Sequence, residues 1–447
     1  MKNKIYYFDV EIKKREFLSR IYLACKLVDK GSIAFIGPRV TPSIARNLST
    51  SGLVIRKSIS PNEQDVITNL KNNGFDSISW DEEGFLVGSL ERFSTLRHSE
   101  KNVESVKAVF SWGQKQNDFL KEKYSNWENK FFEVGNPRVD LWKHRYFGFY
   151  DSLANDIKRD YDEFVLIPSN FALYTNKELC KSFLKEAGYL ESIEQIEEYN
   201  QNFNNVKFLF DKFVNLIKEI SANGMNIVVR PHPSDNEKYM AEIFSNIKGV
   251  YVKSDNDIAP WILASTAIIH NCCTTSAEAF LMGKKVISYC PNNISQYPLD
   301  DINNLAFKAT NFEQVLSYLK DDYRFNDDKN FTFDGFLKVI GGIDKAVNIL
   351  DSLAVEGKLR PKKIGMSDSR YKYIYKSKYL LRNLKDKLIL NTNSANNRKT
   401  MRAKFPLTYP QEIRRFIYYL LKEKVINENI EVTSVGDNTF MLSKKKN

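Results

Sequence analysis

The sequence predicts an α/β protein of two successive doubly wound domains followed by a basic, mostly helical extension. Three observations carry that expectation. Short β-rich runs alternate with stretches of helical periodicity, the pattern of βαβ units and parallel sheets. The chain, at 447 residues, is longer than one hydrophobic core usually serves. The alternation breaks once, in GFYDSLANDIKRDYD at residues 148–162, and then resumes. The predicted domains are residues 1–155 and 156–355, with the extension over 356–447.

In chain order, the first domain has the strand KIYYF and a helical pattern in REFLSRIYLACKLVDKG that stops at Gly31. The strand SIAFIG, a helix near EQDVITNLKNNG, the strands FDSISW and VKAVFSW, a helix after Gly113 and FFEVG follow. The second series starts with EFVLIPS and the long helical stretch VKFLFDKFVNLIKEISANG. It continues through MNIVVRPHP, a helix in DNEKYMAEIFSNI, GVYVK, a helix near DIAPWILAS, TAIIHN, the helix TTSAEAFLMG and the strand KKVISYC. No internal repeat or low-complexity tract interrupts the pattern.

Composition narrows the function classes. Hydrophobic residues make up 43% of the chain, enough for two cores, yet no run approaches the ~20 apolar residues of a membrane span. The start MKNKIYYFDVEIKK lacks the apolar region and small-residue cleavage site of a signal peptide, so the expected location is cytoplasmic. Five cysteines without paired spacing argue against a disulfide framework or a zinc site. Charge is concentrated at the end: residues 361–447 hold 20 Lys and Arg against 7 Asp and Glu, a balance of +13, and the rest of the chain holds 46 against 48. Basic, tyrosine- and leucine-bearing segments such as SRYKYIYKSKYLLRNLKDKLIL and PQEIRRFIYYLLKEKV suit either an anionic membrane surface or helices packed back on the body with a solvated basic face. No nucleic-acid recognition motif accompanies the charge, so no nucleic-acid partner is expected.

Ligands of such sheets bind outside the carboxyl ends of the strands, and three strand-end loops carry chemistry. After Met225–Val229 come Arg230, Pro231, His232 and Pro233, where the prolines hold a guanidinium and an imidazole together as an anion site; a histidine that merely ends a strand is the plainer alternative. After Thr266–Ile269 come His270 and Asn271, then Thr274, Thr275 or Ser276 as cap of a helix running to Gly283, a start suited to phosphate. Glu278 on that helix either completes a capping box or reaches a ribose diol. The third loop, in SISWDEEGF, places Asp81, Glu82 and Glu83 side by side before Gly84, either as a solvated turn or as a catalytic carboxylate site.

These motifs, in this order, resemble those of bacterial sialyltransferases of the two-Rossmann, GT-B type. The wider layout of REF, DEEGF, VFSWG, VGNPR, RPHP and HNCCTTSAEAF over roughly residues 5–350 is similar to bacterial surface-carbohydrate biosynthesis proteins related to Kdo transferases. The chain departs from the sialyltransferase pattern in having Thr-Thr-Ser where a serine pair is usual, and in having three acids. The resemblance implies two Rossmann-like domains facing a cleft and transfer of a 2-ulosonic acid from a CMP-sugar to a capsule or lipopolysaccharide glycan. It implies Glu82 as catalytic carboxylate, with Asp81 the alternate and Glu83 and Gly84 completing the motif. It further implies His232, Arg230, Pro233, Thr274 and Thr275 around the CMP phosphate. His270, Asn271, Ser276 and Glu278 complete the expected donor site. Such transfer needs a general base or a carboxylate nucleophile at an oxocarbenium-like centre. The pairs Asp160 with Asp162 and Asp255 with Asp257 have DxD spacing, but one precedes a strand and the other reads as a helix start; no metal and no cofactor are expected. The expected partners are a nucleotide-sugar donor, a glycan or lipid-linked acceptor and, through the extension, the inner face of the cell membrane. The same architecture also suits a CDP-glycerol glycerophosphotransferase, a UDP-HexNAc 2-epimerase or a non-catalytic assembly scaffold.

Overall fold

A computed structural model of the chain describes residues 2–81, 90–186, 190–255, 257–294, 306–321, 342–360, 367–388, 402 and 404–445. It has two compact units, one of Met1–Leu141 with Phe331–Asn447 and one of Trp142–Asn330.

The first unit is built on a mainly parallel sheet. Strands β1 (Asn3–Asp9), β2 (Ile33–Gly37), β3 (Gly52–Arg56), β4 (Phe75–Trp80), β5 (Ala108–Ser111) and β6 (Phe131–Glu133) pair in the order β2-β1-β3-β4-β5-β6. Every residue of β2, β3 and β5 is buried, as expected of parallel strands covered on both faces. Helix Lys13–Asp29 covers the sheet with Phe17, Ile21, Ala24, Leu27 and Val28, and Tyr7 stacks on Phe35 at 4.9 Å between ring centroids.

The extension expected as a separate segment from residue 356 completes this unit instead. Strand β13 (Glu356–Gly357) joins β1 antiparallel, and the hairpin β14 (Ile430–Gly436) and β15 (Thr439–Lys444) adds to β2 through Phe440↔Ile36 and Leu442↔Ala34. Gly37 permits that approach: a Cβ there would lie 2.9 Å from Thr439 Oγ1 and 3.1 Å from the Asn438 carbonyl. Helix Pro410–Lys422 buries Ile413, Phe416, Ile417 and Leu420, the apolar spacing legible in the sequence. Tyr371, fully buried, donates its hydroxyl to the Thr408 carbonyl (3.2 Å) and accepts the Asn438 N–H (3.2 Å). Lys404 closes on Glu11, which Lys57 also contacts. Burial pushes the Glu11 carboxyl up, and the two lysines together bring it down to about 2.

The second unit is wholly parallel among its described strands. Strands β7 (Phe164–Pro168), β8 (Asn226–Arg230), β9 (Val250–Val252), β10 (Ala267–His270), β11 (Lys285–Tyr289) and β12 (Phe307–Ala309) lie in the order β12-β11-β10-β7-β8-β9. Numbered from β7, this is the 3-2-1-4-5-6 order of dinucleotide-binding sheets, with its reversal between β7 and β10. The predicted boundary at residue 155 falls inside helix Asp151–Tyr161, which packs in this unit against helix Ile258–Ala264. The segment read as a break in periodicity is therefore a helix, with Ala154 and Ile157 as its only fully buried residues. The long helix begins earlier than its sequence pattern, at Ile193, where Ser192 and Gln195 form a capping box. Among the described residues, no helix is long and apolar enough to cross a membrane.

Two outcomes follow for the first unit. Phe440→Ala, at a fully buried position, is expected to cost about 3–5 kcal/mol in urea unfolding, and a chain ending near Lys358 to be insoluble because β2 loses its cover. Because the Glu11 carboxyl is lower in the folded chain, its stabilisation is present above pH ~4.5 and is lost as pH falls towards 2. Lys404→Met raises that folded value, so unfolding free energy measured from pH 2 to 6 should show a shallower acid loss and a lower plateau.

Candidate functional site

The reversal of strand order in the second unit separates the loops after β7 and β10, and the predicted donor residues of this unit lie at and beyond the carboxyl ends of β8 and β10. Register places His270 on β10 level with the end of β7, since Ala267 pairs with Val165 and Ile268 with Leu166. The Asn170 side chain, just past β7, donates to the Asn271 carbonyl at 2.9 Å and ties the two strand ends together.

His270 is fully buried, and burial lowers its imidazole to about 3, so it is neutral at pH 7. Its Nδ1 accepts the Cys273 N–H (3.3 Å), which puts the proton on Nε2, a buried atom with no hydrogen-bond partner among the described residues. Ser169, immediately after β7, likewise has a buried hydroxyl without a partner there. Asn271 is buried and spends its amide on the carbonyls of Tyr289 (2.9 Å) and Ile294 (3.3 Å). It therefore holds the loop after β11 in place. Cys272 has φ +49°, a left-handed conformation that turns the chain sharply from strand to helix.

The helix itself runs Thr274–Leu281, ending short of Gly283. Its N-cap is Cys273, not one of the hydroxyl residues, and Cys273 makes no side-chain capping bond to the helix. Ser276 is in the first turn, where its Oγ donates back to the Cys273 carbonyl at 2.5 Å. Thr274 and Thr275, both partly exposed, occupy the first two helical positions. A helix start without a hydroxyl or carboxylate cap is chemically open to an anion. Glu278 is buried one turn on and, with Cys273 as the N-cap, is not placed to form a capping box.

The loop after β8 is held by Asp235. Its carboxylate accepts the His232 N–H (2.8 Å) and the Thr175 hydroxyl (2.9 Å), and its own N–H returns to the His232 carbonyl (2.8 Å). His232 and Pro233 are exposed, and His232 Nδ1 accepts the Ser234 N–H (3.2 Å), which puts the proton of the neutral imidazole on Nε2. Arg230 does not accompany His232 outward as expected. It is 8% exposed, donates to the Asp255 carbonyl (2.5 Å) and lies over the Trp261 ring at 5.1 Å. Burial lowers its guanidinium to about 10, against the opposing pull of Asp255 and Asp257. The Asp255 carbonyl is the acceptor for Arg230, and Asp257 is the N-cap of helix Ile258–Ala264.

In the first unit, Asp81 follows β4. It is buried, its carboxylate pairs with Arg97 Nε at 3.1 Å, and its carbonyl accepts the Trp112 indole N–H. The adjoining Trp80 carbonyl accepts Arg20 Nη2 (3.0 Å), and Trp80 Nε1 reaches the Gly135 carbonyl (2.9 Å). These contacts fix the end of β4 at Trp80 and Asp81. Glu82, Glu83 and Gly84 lie outside the described residues. Sequence reasoning missed Ser169, Asn170 and Asp235; the PSN that closes EFVLIPSN, and an aspartate two residues after HP, were the available signals.

The class these strand orders define is an α/β chain of two doubly wound units, as the sequence predicts. No protein-family profile and no curated protein matches the chain. Among solved structures, a UDP-GlcNAc 2-epimerase from Methanocaldococcus jannaschii superposes with a TM-score of 0.48 at 13% identity over 79% of this chain and 100% of that one. A putative UDP-N-acetylglucosamine 2-epimerase from Listeria monocytogenes gives 0.47 at 10% identity over 79% and 96%. The wall teichoic acid polymerase TagF gives 0.41 at 12% identity over 78% and 89%.

Asp235→Ala strips the His232 N–H and the Thr175 hydroxyl of their acceptor and should cost about 1–3 kcal/mol in urea unfolding. Ser169→Ala should leave that value unchanged or raise it, because it removes a buried hydroxyl that has no partner.

Proposed function

We propose that the chain is a GT-B glycosyltransferase that moves a sugar from a nucleotide-activated donor to a surface glycan, and specifically a 2-ulosonic acid from its CMP ester. What supports the reading is the coincidence of motif and topology in the second unit. His232, His270, Asn271, Thr274 and Thr275, implicated by motif alone, all lie at or within a few residues past the carboxyl ends of β8 and β10, the strands that flank β7, and strand order reverses between β7 and β10. Exposed His232 and the uncapped start of helix Thr274–Leu281 would meet the phosphate, and Glu278 the ribose. Arg230 acts at one remove, as the strut beneath the His232 turn.

In the reaction the acceptor oxygen forms a bond to the anomeric carbon while the bond from that carbon to the CMP phosphate breaks, and CMP leaves with the electron pair. The acceptor proton passes to a carboxylate of the Asp81–Glu83 run, for which Glu82 is the assigned base and Asp81, paired with Arg97, holds the strand end. The phosphate contacts supply the charge neutralisation that departure of CMP requires, and no cofactor enters the scheme.

Calorimetric titration with CMP, cytidine, UDP and CDP-glycerol tests the donor assignment. The expected result is tightest binding of CMP, with Glu278→Ala weakening CMP and cytidine alike and His232→Ala weakening CMP about 10-fold or more but cytidine little, as expected for loss of one charged hydrogen bond. Preference for UDP or CDP-glycerol would transfer the chain to the epimerase or glycerophosphotransferase reading, and no nucleotide binding to the scaffold reading. With a CMP-ulosonic acid donor, Glu82→Gln should lower turnover about 10²–10⁴-fold with CMP affinity kept, a result that equal loss in Asp81→Asn would overturn.

A further inference from the structure

We propose that the outer face of helix Asp368–Leu388 is a docking surface for an anionic phospholipid bilayer. The helix is fastened to the first unit at its start. Tyr371 is buried there on Thr408 and Asn438, and Asp368 pairs with Arg414 of helix Pro410–Lys422 and accepts from Gln411 (3.1 Å). Beyond this anchor the inward positions Tyr375 and Tyr379 are half-buried, whereas the opposite stripe is solvated. The helical repeat places Tyr373, Lys376 and Leu380 on that stripe, with Arg370, Lys372 and Leu381 at its borders. Tyr373 is 78% exposed, Leu380 53% and Leu381 65%, values that leave large apolar groups in water with no covering element among the described residues.

Charge decides the occupant. Among the described side chains, the three charged ones at or beside the stripe, Arg370, Lys372 and Lys376, are cationic, and residues 361–447 carry a balance of +13, whereas the remainder of the chain is at −2. A tyrosine and leucines ringed by lysine and arginine match a bilayer's interfacial zone: the rings and aliphatic chains enter the headgroup boundary and the cations meet the lipid phosphates. The adjoining helix Pro410–Lys422 presents the same chemistry on its solvated side, with Arg415 and Lys422 around Tyr418, itself 71% exposed. Because hairpin β14–β15 and helix Pro410–Lys422 are part of the first unit's core, the surface belongs to a folded body, and point substitutions on its face isolate the function where truncation cannot.

Co-sedimentation of the full chain with vesicles of phosphatidylcholine alone, or with about a third of phosphatidylglycerol, provides the test. Binding is expected only to the anionic vesicles and to fall steeply as salt rises from 0.05 to 0.5 M. Lys372→Gln with Lys376→Gln should weaken it about fivefold for each lysine lost. The triple variant Tyr373→Ser, Leu380→Ser, Leu381→Ser should weaken it about tenfold while keeping the salt dependence. All these positions are exposed, so unfolding temperature and CMP titration should match the parent chain. The proposal is overturned if neither vesicle binds, if both bind equally, if the variants bind like the parent, or if the substitutions alter only self-association or nucleic-acid retention.

Discussion

Burial of a parallel strand on both faces is the constraint on which the rest of this protein depends. Strands β7, β8, β10 and β11 are buried along nearly their whole length with no solvated face, so their backbone groups are satisfied by neighbouring strands and their faces are covered by helices. Polar side chains within such strands, as Lys285 and Ser288 of β11, are buried and hydrogen-bond within the fold. Groups that can meet a ligand are therefore expected at the strand ends, and the strand order reverses between β7 and β10.

That confinement explains how local sequence becomes a site. Arg230, His270 and Asn271 each terminate or follow a strand, yet the packing sorts them by burial into different tasks. Arg230 and Asn271 turn inward to hold loops, through Asp255 and Trp261 in one case and Tyr289 and Ile294 in the other. His232, two residues past a strand and braced by Asp235, keeps its imidazole in solvent. His270 is kept neutral by burial, so it offers a hydrogen bond and no charge.

In the first unit the same edge logic operates in reverse. A parallel sheet with β2 at its margin would expose unpaired backbone groups, and hairpin β14–β15 covers them from more than 390 residues away in sequence. The basic end of the chain therefore has two roles: its apolar positions complete a core, and its cations, displaced to the outside by that packing, form the charged face of helix Asp368–Leu388.

The sequence by itself determined the α/β class, the succession of two doubly wound units, ten of the fifteen described strands and the loops on which a donor site would lie. These are local properties, written as periodicity, prolines and helix starts within about ten residues. Tertiary structure decided what depends on distant partners. The apolar spacing of Ile413, Phe416, Ile417 and Leu420 was visible, but not that their helix packs against helix Lys13–Asp29; strands β3, β12 and β13 and hairpin β14–β15 became strands through the neighbours that pair with them. Likewise Arg230 and His232 read as one cationic pair two residues apart, and only the position of Trp261 and Asp255 beneath the sheet edge draws one inward while Asp235 holds the other at the surface. Side-chain direction at a strand end is set by what packs under it, and that information lies elsewhere in the chain.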